Sequence, residues 1–216
     1  LQPPGGENQK ELHKVLDVGT YISHDLRALH FAGIPLSSLY GLDIISFADL
    51  GWELFNDRER FDISDQLVLG DILDFATDSS AVRILDGEMD VVWCSAVLHQ
   101  FTWAQSIPAC KRLVRFTKGS GSLVVGCQVG GREKEGVLDM HEISKGKAEK
   151  GGVEASPFKH NAQSLERMWR CVGEELGVKL EVSARWREWG DFGCEEERSR
   201  LMGSDMGVLE WTVKLL

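Results

Sequence analysis

The sequence predicts an α/β protein: a doubly wound seven-stranded sheet, mostly parallel with the last strand antiparallel, and helices on both faces. Three observations lead there. The first is Lys14-Val-Leu-Asp-Val-Gly-Thr-Tyr-Ile-Ser-His-Asp25, an apolar run stopped by Gly19 and followed by a helical pattern at Ile22, Leu26 and Leu29. An apolar run bounded by Gly reads as a buried parallel strand. A strand, a tight turn and a helix open a nucleotide-binding sheet. The second is Asp43, at the end of the next strand-like run and 24 positions beyond Gly19. An acid at about that separation binds the two hydroxyls of a ribose. The third is the end of the chain, where two alternating runs are joined by a charged irregular stretch. A strand reached through a loop rather than a helix can run antiparallel to its neighbour.

Length and composition set the frame. With 216 residues, 43% of them hydrophobic, the chain suffices for one α/β domain, expected over 14–216. Residues 1–13, with Pro3, Pro4, Gly5 and Gly6, read as a flexible lead-in. A net charge of −10 with no basic run argues against nonspecific nucleic-acid binding. The five cysteines lie far apart and never as C-x-x-C, so neither a metal site nor a disulfide framework is expected. Cys94 and Cys127 sit in apolar runs and read as buried, inert thiols. No apolar run reaches membrane-spanning length and no leader opens the chain. The expectation is a soluble cytoplasmic protein.

The elements follow in order. Val15, Leu16 and Val18 make the first strand, and the turn after Gly19 leads into a helix that Gly33-Ile-Pro35 ends. Free helix N–H groups at the carboxyl edge of such a strand are a ligand site. The turn carries one glycine where a dinucleotide fingerprint wants three. An ordinary strand–helix corner explains it about as well when it is taken alone. Leu39-Tyr-Gly-Leu-Asp-Ile44 is the second strand; Asp43, able to accept two hydrogen bonds at once, suits a ribose better than it suits a bare strand end. Ser46 with Asp49 resembles a capping box opening a helix through Leu54 and Phe55.

Gln66 to Asp74 is the third strand, running out at Asp71 and Asp74. In a nucleoside site Asp71 accepts from the adenine amino group and Ile72 packs on the ring; read alone, Asp71 is better explained as a helix cap. Met89 to Phe101 holds the fourth strand, with Ser95 to His99 leaving its carboxyl end. His99 there is a candidate general base, although a single His after a strand is more often structural. Trp103, Ile107, Cys110, Leu113 and Val114 then mark a helix, stopped by Gly119 and Gly121. Ser122 to Cys127 is the fifth strand. Residues 130–160 lose periodicity, gather glycines and read as a lid insertion bracketed by His141 and His160. Asn161 caps a helix with Leu165, Met168, Trp169, Val172 and Leu176 on one face, ended by Gly177. Residues 179–186 alternate as a strand, 188–204 are irregular, and 207–216 form the last strand.

Together these residues resemble a family. Val-Leu-Asp-Val-Gly…His-Asp-Leu-Arg at 15–27, Leu-Tyr-Gly-Leu-Asp-Ile at 39–44, Asp-Leu-Gly-Trp-Glu-Leu-Phe-Asn-Asp-Arg at 49–58, Gly-Asp-Ile at 70–72 and Phe-Lys-His-Asn-Ala-Gln-Ser-Leu-Glu-Arg-Met-Trp at 158–169 are similar to the class I S-adenosylmethionine-dependent methyltransferases, and more narrowly to fungal O-methyltransferases of meroterpenoid and related secondary-metabolite pathways. The resemblance runs over nearly the whole chain from residue 14. It implies a Rossmann-like fold, S-adenosyl-L-methionine as cofactor, and methyl transfer to an oxygen of a small metabolite, often a carboxylate. Position by position it implies that Asp17, Gly19, Thr20 and Tyr21 flank the methionine end, that Asp43 and Ile44 meet the ribose, that Asp71 and Ile72 meet the adenine, and that Ser95 to His99 face the sulfonium and the acceptor. Family members have a glycine-richer turn where this chain has Thr20-Tyr21-Ile22-Ser23-His24, so bulk there is expected to crowd the methionine end. Members also have roofing helices before the first strand. Here the lid is expected to be incomplete, supplied by 130–160, or supplied by a second subunit in a homodimer.

Two other readings share the scaffold. One is a methyltransferase-fold enzyme catalysing cyclisation or isomerisation without methyl transfer; the other is a non-catalytic partner protein. The turn at 20–24 favours these, whereas Asp43 and Asp71 favour retained nucleoside binding.

Overall fold

The computed structural model describes residues 13–74, 83–137, 156–193 and 205–216. Its elements run β1 (Val15–Val18), α1 (His24–Phe31), β2 (Leu39–Asp43), α2 (Ala48–Phe55), β3 (Leu67–Leu69), β4 (Val91–Trp93), α3 (Trp103–Phe116), β5 (Leu123–Gly131), β6 (Gly136–Val137), β7 (Phe158–Lys159), α4 (Ala162–Leu176), β8 (Leu180–Arg187) and β9 (Met206–Leu215). Seven strands form one sheet in the order β3-β2-β1-β4-β5-β9-β8. The first five pair in parallel. β9 slides between β5 and β8 and runs antiparallel to both. The expected mostly parallel sheet with an antiparallel last strand is therefore present. Strand order reverses between β1 and β4, and ligands of open α/β sheets bind outside the carboxyl ends at that reversal.

The register sorts the side chains onto two faces. Leu16, Val92, Val124 and Val213 align on one, under Ala109, Cys110 and Leu113 of α3 and Leu165, Met168 and Trp169 of α4. Val15, Leu39 and Leu67 lie on the other, under Leu26 and Leu29 of α1. Helices thus cover both faces, because each strand alternates its side chains between them. Thr102 and Gln105 cap α3 reciprocally, and Asn161 and Ser164 cap α4 in the same way. Gly177 ends α4 at φ 66°, a left-handed conformation that suits glycine.

Several expectations need correction. Ser46 and Asp49 form no capping box: α2 starts at Ala48 without a side-chain cap, and Ser46 Oγ only accepts a long 3.5 Å bond from the Ala48 N–H. α1 starts at His24, since Ser23 before it is left-handed at φ 58°. β3 is short, and residues 71–74 beyond it form a turn. β5 extends past Cys127 to Gly131, paired through to Met206 of β9, so Gly130 and Gly131 belong to a strand and not to the insertion. β6 and β7 pair as a ribbon on either side of 138–155. The middle of the expected lid, 138–155 with His141, lies outside the described residues, as does most of the expected lead-in. Among the described residues no helix is long and apolar enough to cross a membrane.

Candidate functional site

The turn after β1 keeps the shape of a glycine loop with few glycines. Gly19, Tyr21 and Ser23 have φ of 75°, 48° and 58°. Left-handed backbone costs a side-chain-bearing residue roughly 1–2 kcal/mol, so something must hold Tyr21 and Ser23 there. Three contacts do. The Gly19 and Thr20 N–H groups donate to the Leu42 carbonyl at 2.8 and 3.3 Å. The Tyr21 N–H donates to Asp43 Oδ2 at 2.9 Å. The Arg27 guanidinium donates to the Ile22 carbonyl. Gly19 itself admits no side chain: a Cβ there would lie 2.4 Å from Val97 Cγ2, in the loop after β4.

Arg27 is a residue the sequence did not mark as functional. It is 4% exposed and forms a two-pronged ion pair with Asp57, Nε to Oδ2 at 2.8 Å and Nη2 to Oδ1 at 3.1 Å. Its guanidinium lies 4.6 Å from the Phe55 ring centre and 4.5 Å from that of Phe61. Gly51 of α2 abuts the same spot, where a Cβ would come 2.8 Å from the Ile22 carbonyl oxygen. The pair thus ties the turn to the end of α2. The available signal was an Arg next to Leu26 on a helix whose apolar face is buried.

Tyr21 does not fill the hollow that the turn encloses. Its ring turns aside onto Phe47, with ring centres 4.7 Å apart. Tyr21, His24 and Phe47 all line the hollow, so the turn's side chains form part of its wall. What remains is a cavity of about 890 Å³ at the carboxyl ends of β1 to β4. Eight of the ten sequence-assigned residues line it: Asp17, Gly19, Tyr21, Asp43, Ile44, Asp71, Ile72 and Ser95. Two do not. Thr20 is 4% exposed, its hydroxyl bonded to the Asp17 carboxyl and 3.2 Å from the Ser23 hydroxyl, so it supports the wall from behind. His99 sits on a 3-10 turn whose neighbours Ala96, Val97, Gln100 and Phe101 line the cavity while it does not. Its Nδ1 is buried without a hydrogen-bond partner, and burial lowers its pKa. His160, expected in a lid, is fully buried against Trp103 and Phe158, and burial brings its pKa down to about 4.

Four carboxyl groups line the cavity, those of Asp17, Asp25, Asp43 and Asp71. Asp17 is 4% exposed, and burial pushes its pKa up to about 7, opposed by the Thr20 hydrogen bond and reinforced by Asp25 and Asp43 nearby. Asp43 is pinned by backbone on both oxygens: Oδ2 takes the Tyr21 N–H, and Oδ1 takes the Ile44 and Ile45 N–H groups at 2.8 and 3.4 Å. Oδ1 thus has both lone pairs engaged, and Oδ2 keeps one free. Asp71 Oδ1 accepts from the Leu73 N–H at 2.8 Å, so it holds its own turn while lining the cavity. Around the mouth stand Ile44, 67% exposed, and Ile45, 56% exposed. An apolar rim beside fixed acids suits a molecule with a flat ring, a diol and a cationic tail. Cys94 is buried as expected, and burial pushes its thiol far up; Cys127 is only half-buried and lines the cavity.

No known protein-family model matches the chain. The chain is 34% identical over 172 residues to the O-methyltransferase phiE of Fungal sp. (strain ATCC 74256), covering 79% of this chain and 52% of that protein. It is 37% identical over 200 residues to the O-methyltransferase atr3 of Stereocaulon alpinum, covering 89% of this chain and 53% of that one. The chain spans about half the length of these relatives. Among solved structures it superposes on phosphoethanolamine N-methyltransferase 2 of Haemonchus contortus, bound to S-adenosyl-L-methionine, with a TM-score of 0.60 at 11% identity over 94% of this chain and 48% of that one. That likeness is one of fold.

Proposed function

Because the chain is a relative of fungal O-methyltransferases and has the Rossmann-like fold of class I methyltransferases, we propose that it binds S-adenosyl-L-methionine and methylates an oxygen of a small metabolite. One observation carries this reading: the turn with only Gly19 keeps its left-handed backbone and leaves the cavity open, with Asp43 held at its edge. The residues present fit the cofactor. Ile72 and the exposed Ile44 offer apolar surface for an adenine, Asp43 keeps a lone pair on Oδ2 for a ribose hydroxyl, and Asp17 offers a buried carboxyl to a cationic methionine end. When bound, the cofactor would supply an electrophilic methyl carbon for the acceptor oxygen.

What the chain contributes is alignment and exclusion of water. A phenol or alcohol acceptor also needs a base near its proton. His99 was the candidate, and its ring is off the cavity wall. We propose a carboxylate as the acceptor group, as the family resemblance implies, giving a methyl ester and requiring no proton transfer; Asp17, whose pKa burial lifts to about 7, and His24 line the cavity and are the bases an alcohol or phenol would meet instead.

The test is transfer of a radiolabelled methyl group from the cofactor to a panel of small carboxylic acids and to their amide or alcohol counterparts. Label in a base-labile ester, formed from the acids alone, supports the assignment. Label in a base-stable ether contradicts the carboxylate. Cofactor binding without label in any product favours the cyclisation or isomerisation reading.

A further inference from the structure

The sheet ends in two unlike edges. β3 is three residues long, and a short edge offers little to pair with. β8 is eight residues long and carries no proline, no glycine and no break in its register with β9. Among the described residues it has a strand on one side only. Its register shows which backbone groups face outward. The Leu215 N–H donates to the Ser122 carbonyl at 3.0 Å, and the Leu215 carbonyl accepts from the Gly121 N–H at 2.9 Å, so both groups turn away from β8. Leu180 pairs with Leu215, and its own N–H and C=O therefore face away from β9. The alternation of an antiparallel ladder turns those of Val182, Ala184 and Trp186 outward too. The side chains of these four residues pack on the main core, while Glu181, Ser183 and Arg185 stand exposed on the opposite face.

We propose that β8 is a pairing edge for a second copy of this chain, joined antiparallel across a two-fold axis at Ser183 so that the two sheets run on as one. In that register β8 is its own complement. Leu180 comes opposite Trp186 of the other copy and Val182 opposite Ala184, so every outward residue meets an outward residue and their backbone groups pair. Centring one residue to either side leaves an outward residue opposite Val178 or Glu188, beyond the strand. On the exposed face the Ser183 register sets Glu181 against Arg185 of the other copy, twice by symmetry. Glu181 makes no ion pair among the described residues. The Arg185 side chain is held by Glu210 at 2.6 Å yet is 68% exposed. The like-charged pair, Lys179 with Arg187, falls at the ends, where Asp191 and Glu210 already hold Arg187. On the core side a groove of about 410 Å³ lies between α4 and the start of β8, lined by Arg170, Gly173, Glu174, Leu180 and Val182. There the other copy's Ala184 and Trp186 come to lie. The charged residues of this groove, Glu166, Arg170, Glu174 and Lys179, balance in sign, so a chain of net charge −10 meets no excess of acid at this edge.

Sedimentation velocity of the full chain over a range of concentrations reads the association. The expected result is a reversible dimer with a dissociation constant on the order of micromolar. Glu181→Arg and Arg185→Glu each set like charges opposite one another and should each weaken the dimer at least about tenfold. Mixed together, the two variants restore opposite charges at both crossings, and the mixed dimer should form where neither variant dimerises alone. Should Arg185→Glu misfold, Val182→Pro takes its place: it removes an outward N–H and no bond to β9, and should leave a monomer. A wild type that stays monomeric at about 100 μM overturns the proposal. So does a dimer that these variants leave unchanged, and so does a dimer lost in the two charge variants but not regained on mixing them.

Discussion

Asp17 couples the site to pH. Its folded pKa of about 7 stands above the value of about 3.9 expected when unfolded, so the folded state binds the extra proton between these limits. The stability this gives is fully present below about pH 4 and is lost as pH rises through about 7. A cationic ligand end needs the ionised carboxylate. S-adenosylmethionine affinity should therefore fall about tenfold per unit as pH drops below about 7 and level off above it. Calorimetry across this range reads the slope, and Asp17→Asn should flatten it; a flat wild-type profile contradicts the role. Gly19→Ala sets a side chain against Val97 at φ 75° and should destabilise the fold by about 1–3 kcal/mol, seen as a lower Tm, with ligand binding lost. A Gly19→Ala protein as stable as the wild type would mean that the Gly19–Val97 approach is not rigid.

The turn between β1 and α1 is held as an element by Arg27 and Asp57. Arg27→Ala leaves a buried carboxylate unpaired and should cost about 3–5 kcal/mol in denaturant unfolding. Arg27→Lys keeps the charge but not the fork that reaches Asp57 and the Ile22 carbonyl together. It should weaken S-adenosylhomocysteine binding by a larger factor than its change in Tm accounts for; equal losses would reduce Arg27 to a purely structural residue. Local signals made part of this legible in sequence. The run Val15 to Gly19 and Asn161 before an apolar helix face speak within one or two turns of chain, and Asp43 speaks through its 24-residue spacing from Gly19. Arg27 and Asp57 are 30 residues apart, so no local pattern joins them. The left-handed Tyr21 and Ser23 were hidden because glycine, the usual marker of that backbone, is absent. Ser46 and Asp49 show the opposite failure, a cap-like pattern overridden where Phe47 takes the capping position.

At the scale of the whole molecule, the sheet was legible and the partition of its edge was not. Five parallel strands and an antiparallel last one follow from the apolar runs and the loop before β9. That β9 lies between β5 and β8 depends on pairing across more than 70 residues, which periodicity does not report. His99 failed as a wall residue for a related reason: its place after β4 was right, but the 3-10 turn points its neighbours into the cavity instead. The outward-facing row of β8 is likewise a product of register alone. The most direct measurement is a calorimetric titration of S-adenosylhomocysteine into the folded wild type and into Asp43→Ala. Binding by the wild type, weakened by about 1.5–3 kcal/mol when the charge-assisted contact is removed, is the predicted result. A folded wild type that takes up no ligand, or an Asp43→Ala variant that binds equally well, would contradict the nucleoside site at the tips of β1 and β2.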